Sequence, residues 1–226
     1  MQRRPSQELL DSDSGTPKEV ADSLLDLRWF NRWFGGIATV RGMIQSVAQV
    51  TGSTTLSVLE VASGDGYIFK TLQREFAATG IDLQITLLDR VPTHFTSNGS
   101  FPKIAADALS LPFAASTFDL VSCSLFIHHL APQQAMAFAR DALRVARRAV
   151  LVHDLIRSPF HLALAYAGTP FYRSRITRND APASVRQAYT VAEMESFFRE
   201  AGSTKIETQE HYFYRMGVIG WKEHGA

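Results

Sequence analysis

The chain has 226 residues, 46% of them hydrophobic and 20% charged, with 23 Lys and Arg against 22 Asp and Glu for a formal net charge of +1. That length and apolar content suit one globular domain with a real core, and they exclude a disordered or fibrous chain. The near-neutral balance leaves no basic footprint for nucleic acid, and a single cysteine, Cys123, excludes a disulfide framework and a cysteine zinc cage.

Residues 1–17 carry an arginine pair with no apolar core after it, so they read as a disordered tail rather than a secretion signal. A single domain is expected over 18–226. From Lys18, EVADSLLDLRWFNRWF sets Val20, Leu24, Leu27, Phe30 and Phe34 at helical spacing and stops at Gly35-Gly36. The aromatic stripe Trp29, Phe30, Trp33 and Phe34 reads first as core packing, with a ligand wall as the alternative. IATVRGMIQSVAQV repeats the period through Ile37, Val40, Ile44 and Val47.

The period then changes. TLSVLEVA is a buried strand, YIFKTLQREFAATG a helix, LQITLLD a second strand, FPKIAAD a weaker third and TFDLVSCSLF a fourth. PQQAMAFARDALRVA is a helix opened by proline, and RAVLVHDL a fifth strand. After an irregular stretch over 155–188, TVAEMESFFREAG is a helix with a Thr190/Glu193 capping box; strands near STKIETQ and YFYRMGVIGW close the chain. Strands alternating with helices predict an α/β fold, a Rossmann-like, doubly wound, mostly parallel seven-stranded sheet. No segment is long and unbroken enough to span a bilayer, so a cytoplasmic protein without stable membrane insertion is expected.

In such a sheet the first strand-turn-helix is the usual ligand site. Here the turn holds Ala62, Ser63, Gly64, Asp65 and Gly66, small residues that admit close approach to the backbone. It lacks the GxGxxG of a dinucleotide fingerprint and the GK[ST] of a P-loop, so it offers little for a pyrophosphate. It does have carboxylates: Glu60 within the first strand and Asp89 at the end of the second, where two acceptor oxygens suit a ribose diol.

VLEVASGDG, then LLD about 25 residues later, then AADALSLPFAASTFDLVSCSLFIHHL resembles the class I S-adenosylmethionine-dependent methyltransferases over residues 56–154. The resemblance is to the small-molecule subgroup acting on quinones and polyketides. It implies S-adenosylmethionine as cofactor and no metal. Glu60 matches the acidic residue of the first motif, and Ala62, Gly64 and Gly66, with Ser63 among them, its small positions under the methionine part. Asp89, followed by Arg90, matches the ribose-binding acid, Asp107 and Ala108 the pair beside the adenine, and Ser124 and Phe126 the strand-end positions flanking the cofactor. Ala62 departs from the family's glycine. Its methyl is tolerable if the position needs no positive φ.

Methyl transfer to a hydroxyl calls for a base, since a phenol has a pKa near ~10. His128 and His129 lie just past the fourth strand at the cofactor edge, and Asp154 ends the fifth; these are the candidate catalytic residues, with backbone hydrogen bonding as the alternative for the histidines. Residues 155–188 are an insertion, expected as a cap that joins an N-terminal helical lid over 18–50. Phe160, Leu164, Tyr166, Phe171 and Tyr172 would face an apolar acceptor, while Arg173, Arg175 and Arg178 would contact a carboxylate or form a solvated face. Similar segments in bacterial methyltransferases of type III polyketide products imply O-methylation of a small aromatic acceptor in secondary metabolism. A methyltransferase of another small molecule, at carbon or nitrogen, and a non-catalytic cofactor-fold protein are the rivals, and a homodimer stays open.

Overall fold

Seven strands form one sheet in the computed structural model of the chain, which describes residues 1–10, 15–91, 101–211 and 213–222. In chain order the elements are α1 (Pro17–Trp33), α2 (Gly36–Thr51), β1 (Thr55–Val61), α3 (Tyr67–Ala77), β2 (Asp82–Asp89), β3 (Lys103–Ala105) and β4 (Phe118–Ser124). There follow α4 (Pro132–Val145), β5 (Ala146–Leu155), α5 (Pro159–Ala167), α6 (Arg175–Gln187), α7 (Val191–Ala201), β6 (Lys205–His211) and β7 (Arg215–Trp221). The sheet order is β3-β2-β1-β4-β5-β7-β6. All pairings are parallel except those of β7, which is antiparallel to β5 and β6. The order reverses between β1 and β4, and a crevice opens beyond their C-terminal ends.

The two-residue period of the central strands sends alternate side chains to two cores. Leu59, Val121 and Val150 meet Phe138, Ala142, Met194 and Phe198 from α4 and α7. Val58, Leu120 and Ala149 meet Val40, Ile44, Val47, Phe69 and Leu72 from α2 and α3. Fully burying one Leu or Phe stabilises by about 1.5–3 kcal/mol, so each face is held by several such side chains.

Three expectations change. α2 is no lid: its stripe of Ile37, Val40, Ile44 and Val47 seals the sheet itself. The 155–188 stretch is not irregular but folds as α5, a 3-10 turn at Thr169–Phe171 and α6, whose start is capped by the Ser174 hydroxyl accepting the Ile176 N–H. Its polar composition and the internal Pro182 hid α6 from the periodicity. Lastly, part of the expected 1–17 tail is docked. The Arg3 guanidinium donates to the carbonyls of Gln187, His128 and Leu130, and the Leu9 and Leu10 amides donate to Asp180. Positions 11–14 of that expectation lie outside the described residues. Thr16 and Glu19 form a capping box that starts α1 at Pro17.

α1 and α6 are joined through buried polar groups. Asp26 accepts the backbone N–H groups of Arg173 (2.9 Å) and Ser174 (3.3 Å) and an Nη1 hydrogen bond from Arg173 (3.2 Å). Arg175 donates to Glu19, and Arg178 to the Tyr172 carbonyl, so these arginines tie the cover together. Among the described residues no helix is long and apolar enough to cross a membrane.

Candidate active site

β1 runs straight into the turn, and its conformation explains the small residues. Ala62, Gly64 and Gly66 have φ of 53°, 51° and 68°. A Cβ on Gly66 would stand 2.7 Å from Leu87 Cδ1, so packing and backbone angle both favour glycine there. The condition on which the Ala62 methyl would be tolerable is not met: Ala62 takes a positive φ, a strain of about 1–2 kcal/mol for an L-residue. Leu125 (54°), Phe213 (62°) and Tyr214 (57°) share this left-handed geometry. Ala62, Leu125 and Phe213 all border the cavity described next.

The turn's amides are spent internally. Ser63 N–H donates to the Leu88 carbonyl, Gly66 N–H to the Ser63 carbonyl, and Gly64 N–H to Asp89 Oδ2 at 2.9 Å. Asp89 Oδ1 takes the Val91 N–H at 3.0 Å. A phosphate would need those amides, so the turn is not a phosphate cradle. From α1, Arg28 reaches over the turn to pair with Asp65, Nε to Oδ2 at 2.9 Å, with its guanidinium 5.6 Å above the Tyr67 ring.

A cavity of about 720 Å³ opens from this turn. Glu60, Ala62, Ser63, Gly64, Gly66, Asp89, Arg90, Asp107, Ala108, Ser124 and Phe126, each read from the sequence as a cofactor position, all line it. Glu60 Oε2, Ser63 Oγ and Ser124 Oγ are buried without a hydrogen-bond partner. Burial pushes the Glu60 carboxyl up to about 8, only partly offset by the neighbouring Ser122 and Ser124 hydroxyls. An orphaned acceptor, orphaned hydroxyls, a strand-end carboxylate and no phosphate cradle fit a cationic ligand with a ribose, the chemistry of S-adenosylmethionine.

Past Ser124 a 3-10 turn, Ile127–His129, carries the histidine pair. The Asp154 carboxylate accepts from His128 Nδ1 at 2.6 Å and from the His128 N–H at 3.1 Å, and it also takes the Leu155 N–H. The other ring nitrogen, Nε2, lies 3.6 Å from Glu8 Oε1. Burial alone would depress the imidazole, but Asp154 and Glu8 outweigh it and lift His128 to about 10. His128 is thus held as an imidazolium and cannot accept a proton at neutral pH, contrary to its expected role as base. Asp154 does not line the cavity, so it too is a positioning group rather than a catalytic one. His129 is half-buried, lines the cavity, and packs its ring 4.1 Å from that of His128.

Several lining groups were not read from the sequence. Glu8 is buried, and its Oε1 accepts from Ser184 Oγ and Gln187 Nε2, both at 2.6 Å. With His128 and His129 it brings three ligand-type atoms within 4.8 Å, a metal-compatible spacing that no signal predicted. The hydrogen bonds to Asp154, Ser184 and Gln187 account for that arrangement through protons. His161 donates its Nδ1–H to the Ile156 carbonyl at 3.0 Å and stacks on Tyr214; burial lowers it to about 4, so it is neutral. Arg215, a lone charge opening an apolar strand, is the one such group the sequence displayed.

Of the aromatic stripe, Phe30 and Phe34 join Val20, Leu24 and Leu27 in an apolar wall of the cavity, whereas Trp29 and Trp33 are exposed and belong to neither cavity nor core. Leu164 and Tyr172 line it as expected. Phe160 and Phe171 do not: they are 73% and 80% exposed. Tyr166 faces Arg186 on the outside.

A family model described as a methyltransferase domain matches residues 58–149. Among solved structures, the plantazolicin methyltransferase BpumL, in complex with a triazolic desmethylPZN analog and SAH, is similar at 11% identity, covering 96% of this chain and 95% of that one with a TM-score of 0.71. The plantazolicin methyltransferase BamL gives 13% identity, 89% and 91% coverage and a TM-score of 0.67. An SAM-dependent methyltransferase from Aquifex aeolicus gives 16% identity, 75% and 82% coverage and a TM-score of 0.50. At these identities the likeness is one of fold, and no curated protein sequence matches the chain.

Proposed function

We propose that this S-adenosylmethionine-dependent methyltransferase moves its methyl group to the oxygen of a small apolar acceptor of phenolic, quinone or polyketide type. The observation that carries this reading is one continuous cavity of about 720 Å³, in which the polar glycine turn is joined to the apolar wall of α1. When bound, S-adenosylmethionine supplies a methyl group already activated on a sulfonium.

The chain's own residues do the rest. The turn, Asp89 and Asp107 hold the cofactor, with the buried Glu60 carboxyl beside them in the cavity lining. α1, pinned by Arg28 to Asp65 and by Asp26 to the start of α6, excludes water. His129 takes the acceptor's proton. His128, clamped between Asp154 and Glu8, fixes the turn that presents His129.

Methyl transfer to a panel of alkylphenols and alkylresorcinols tests this. His129→Ala should lower turnover by about 10²-fold or more while leaving S-adenosylhomocysteine affinity unchanged. An unaltered rate in His129→Ala at neutral pH would remove His129 as the base. A second reading, methylation of a peptide-derived acceptor, is motivated by the likeness in fold to the plantazolicin methyltransferases, which covers 96% of this chain. Methylation of peptide acceptors with no turnover of phenols would decide for it.

A further inference from the structure

Arg215 opens β7 with 6% of its surface exposed, and it lines the cavity. Yet Nε and Nη1 of its guanidinium have no hydrogen-bond partner, and among the described residues it forms no ion pair. A buried cation in that condition is expensive, and native chains pair such groups. The carboxylate whose field reaches it, Asp154, is already committed to His128 and to the Leu155 N–H. The imidazoles that feel its charge, His153 and His161, are buried and neutral, and neither can compensate it.

Leu155 lies opposite Arg215 in the β5–β7 pairing, and Leu164 and Phe213 are further apolar residues of the same cavity lining. Nothing in the cofactor set at the glycine turn calls for a second cation here. A guanidinium presents a planar fork of donors that matches a carboxylate two-on-two.

We infer that Arg215 anchors a carboxylate carried by the methyl acceptor, so that the substrate is an apolar acid rather than a neutral phenol. This rests on the small apolar acceptor proposed above and narrows it. The acid's chain lies along the α1 wall, and its charge is neutralised by Arg215 on entering the cavity. The pairing selects against neutral analogues, because they leave the guanidinium unpaired.

The test uses the full chain saturated with S-adenosylhomocysteine and two probes, a 6-alkylsalicylate and the matched 3-alkylphenol lacking the carboxylate. The wild type should bind the acid at least about tenfold more tightly. Arg215→Met should erase that preference, and Arg215→Lys should restore part of it. Without any probe, Arg215→Met should melt at least ~2 °C higher than wild type, because it removes an uncompensated charge.

Equal affinity for the two probes, a preference that survives in Arg215→Met, or a lowered melting point in that variant would each overturn the proposal. Methyl transfer to the phenol with no advantage for the acid overturns the anchor while leaving the phenolic acceptor standing. Arginine-dependent binding of the acid with methylation of neither probe supports the anchor and overturns O-methylation.

Discussion

Replacing Glu60 by Gln should flatten the alkaline side of the stability profile. Burial raises the Glu60 carboxyl from 4.5 to about 8, so between those values the folded chain holds a proton that the unfolded chain has lost. Stability from this group is complete below pH 4.5 and disappears as pH rises through 8. From pH 6.5 to 9 the shift amounts to about 2 kcal/mol, or roughly 4–8 °C of melting temperature for a chain of this size. His128, lifted from 6.5 to about 10, acts in the same direction, but it is present in both proteins and cancels in their difference. The assay is a thermal melt of wild type and Glu60→Gln, without cofactor, at half-unit steps over that window. The gap between the curves should close in favour of the variant as pH rises. Parallel curves would mean that Glu60 is ionised in the folded chain and that its burial was misjudged.

Ala62→Gly should stabilise by about 1 kcal/mol or less, the relief of a left-handed alanine minus the entropy glycine adds to the unfolded chain, read by urea denaturation; a loss of stability would refute the strain. Asp26→Ala should cost about 2–3 kcal/mol, since it strands two backbone N–H groups of the buried α1–α6 joint, and it should speed amide exchange at Arg173 and Ser174. Unchanged exchange there would show that the cover is held by apolar contacts alone.

The sheet and the cofactor turn were legible because their signals are local. Short, mostly apolar runs rich in β-branched residues and Leu, such as LQITLLD and RAVLVHDL, read as buried strands, and the small residues at 62–66 announce a turn approached by a ligand. What stayed hidden depends on contacts made at a distance. The α1 stripe has the same period whether it meets a core or a cavity, and only the placement of α6, through Asp26, decides for the cavity. Glu8 reads as one more charge in a polar terminus until Ser184 and Gln187 bury it. His128 looks like a base in sequence; Asp154 and Glu8, 26 residues after it and 120 before it, convert it into a fixed cation. Ala62 shows the limit of motif reading, since a one-methyl departure gives no sign of the backbone angle it must adopt.

The central claim is that the cavity at the glycine turn holds S-adenosylmethionine, and titrating the purified chain with S-adenosylhomocysteine in a calorimeter tests it most directly. One site of micromolar affinity is predicted, weakened about tenfold or more in Asp89→Ala, which loses both the ribose acceptor and the bond that holds Gly64. Absence of binding to S-adenosylhomocysteine and S-adenosylmethionine alike, in a protein that melts cooperatively, would contradict the account.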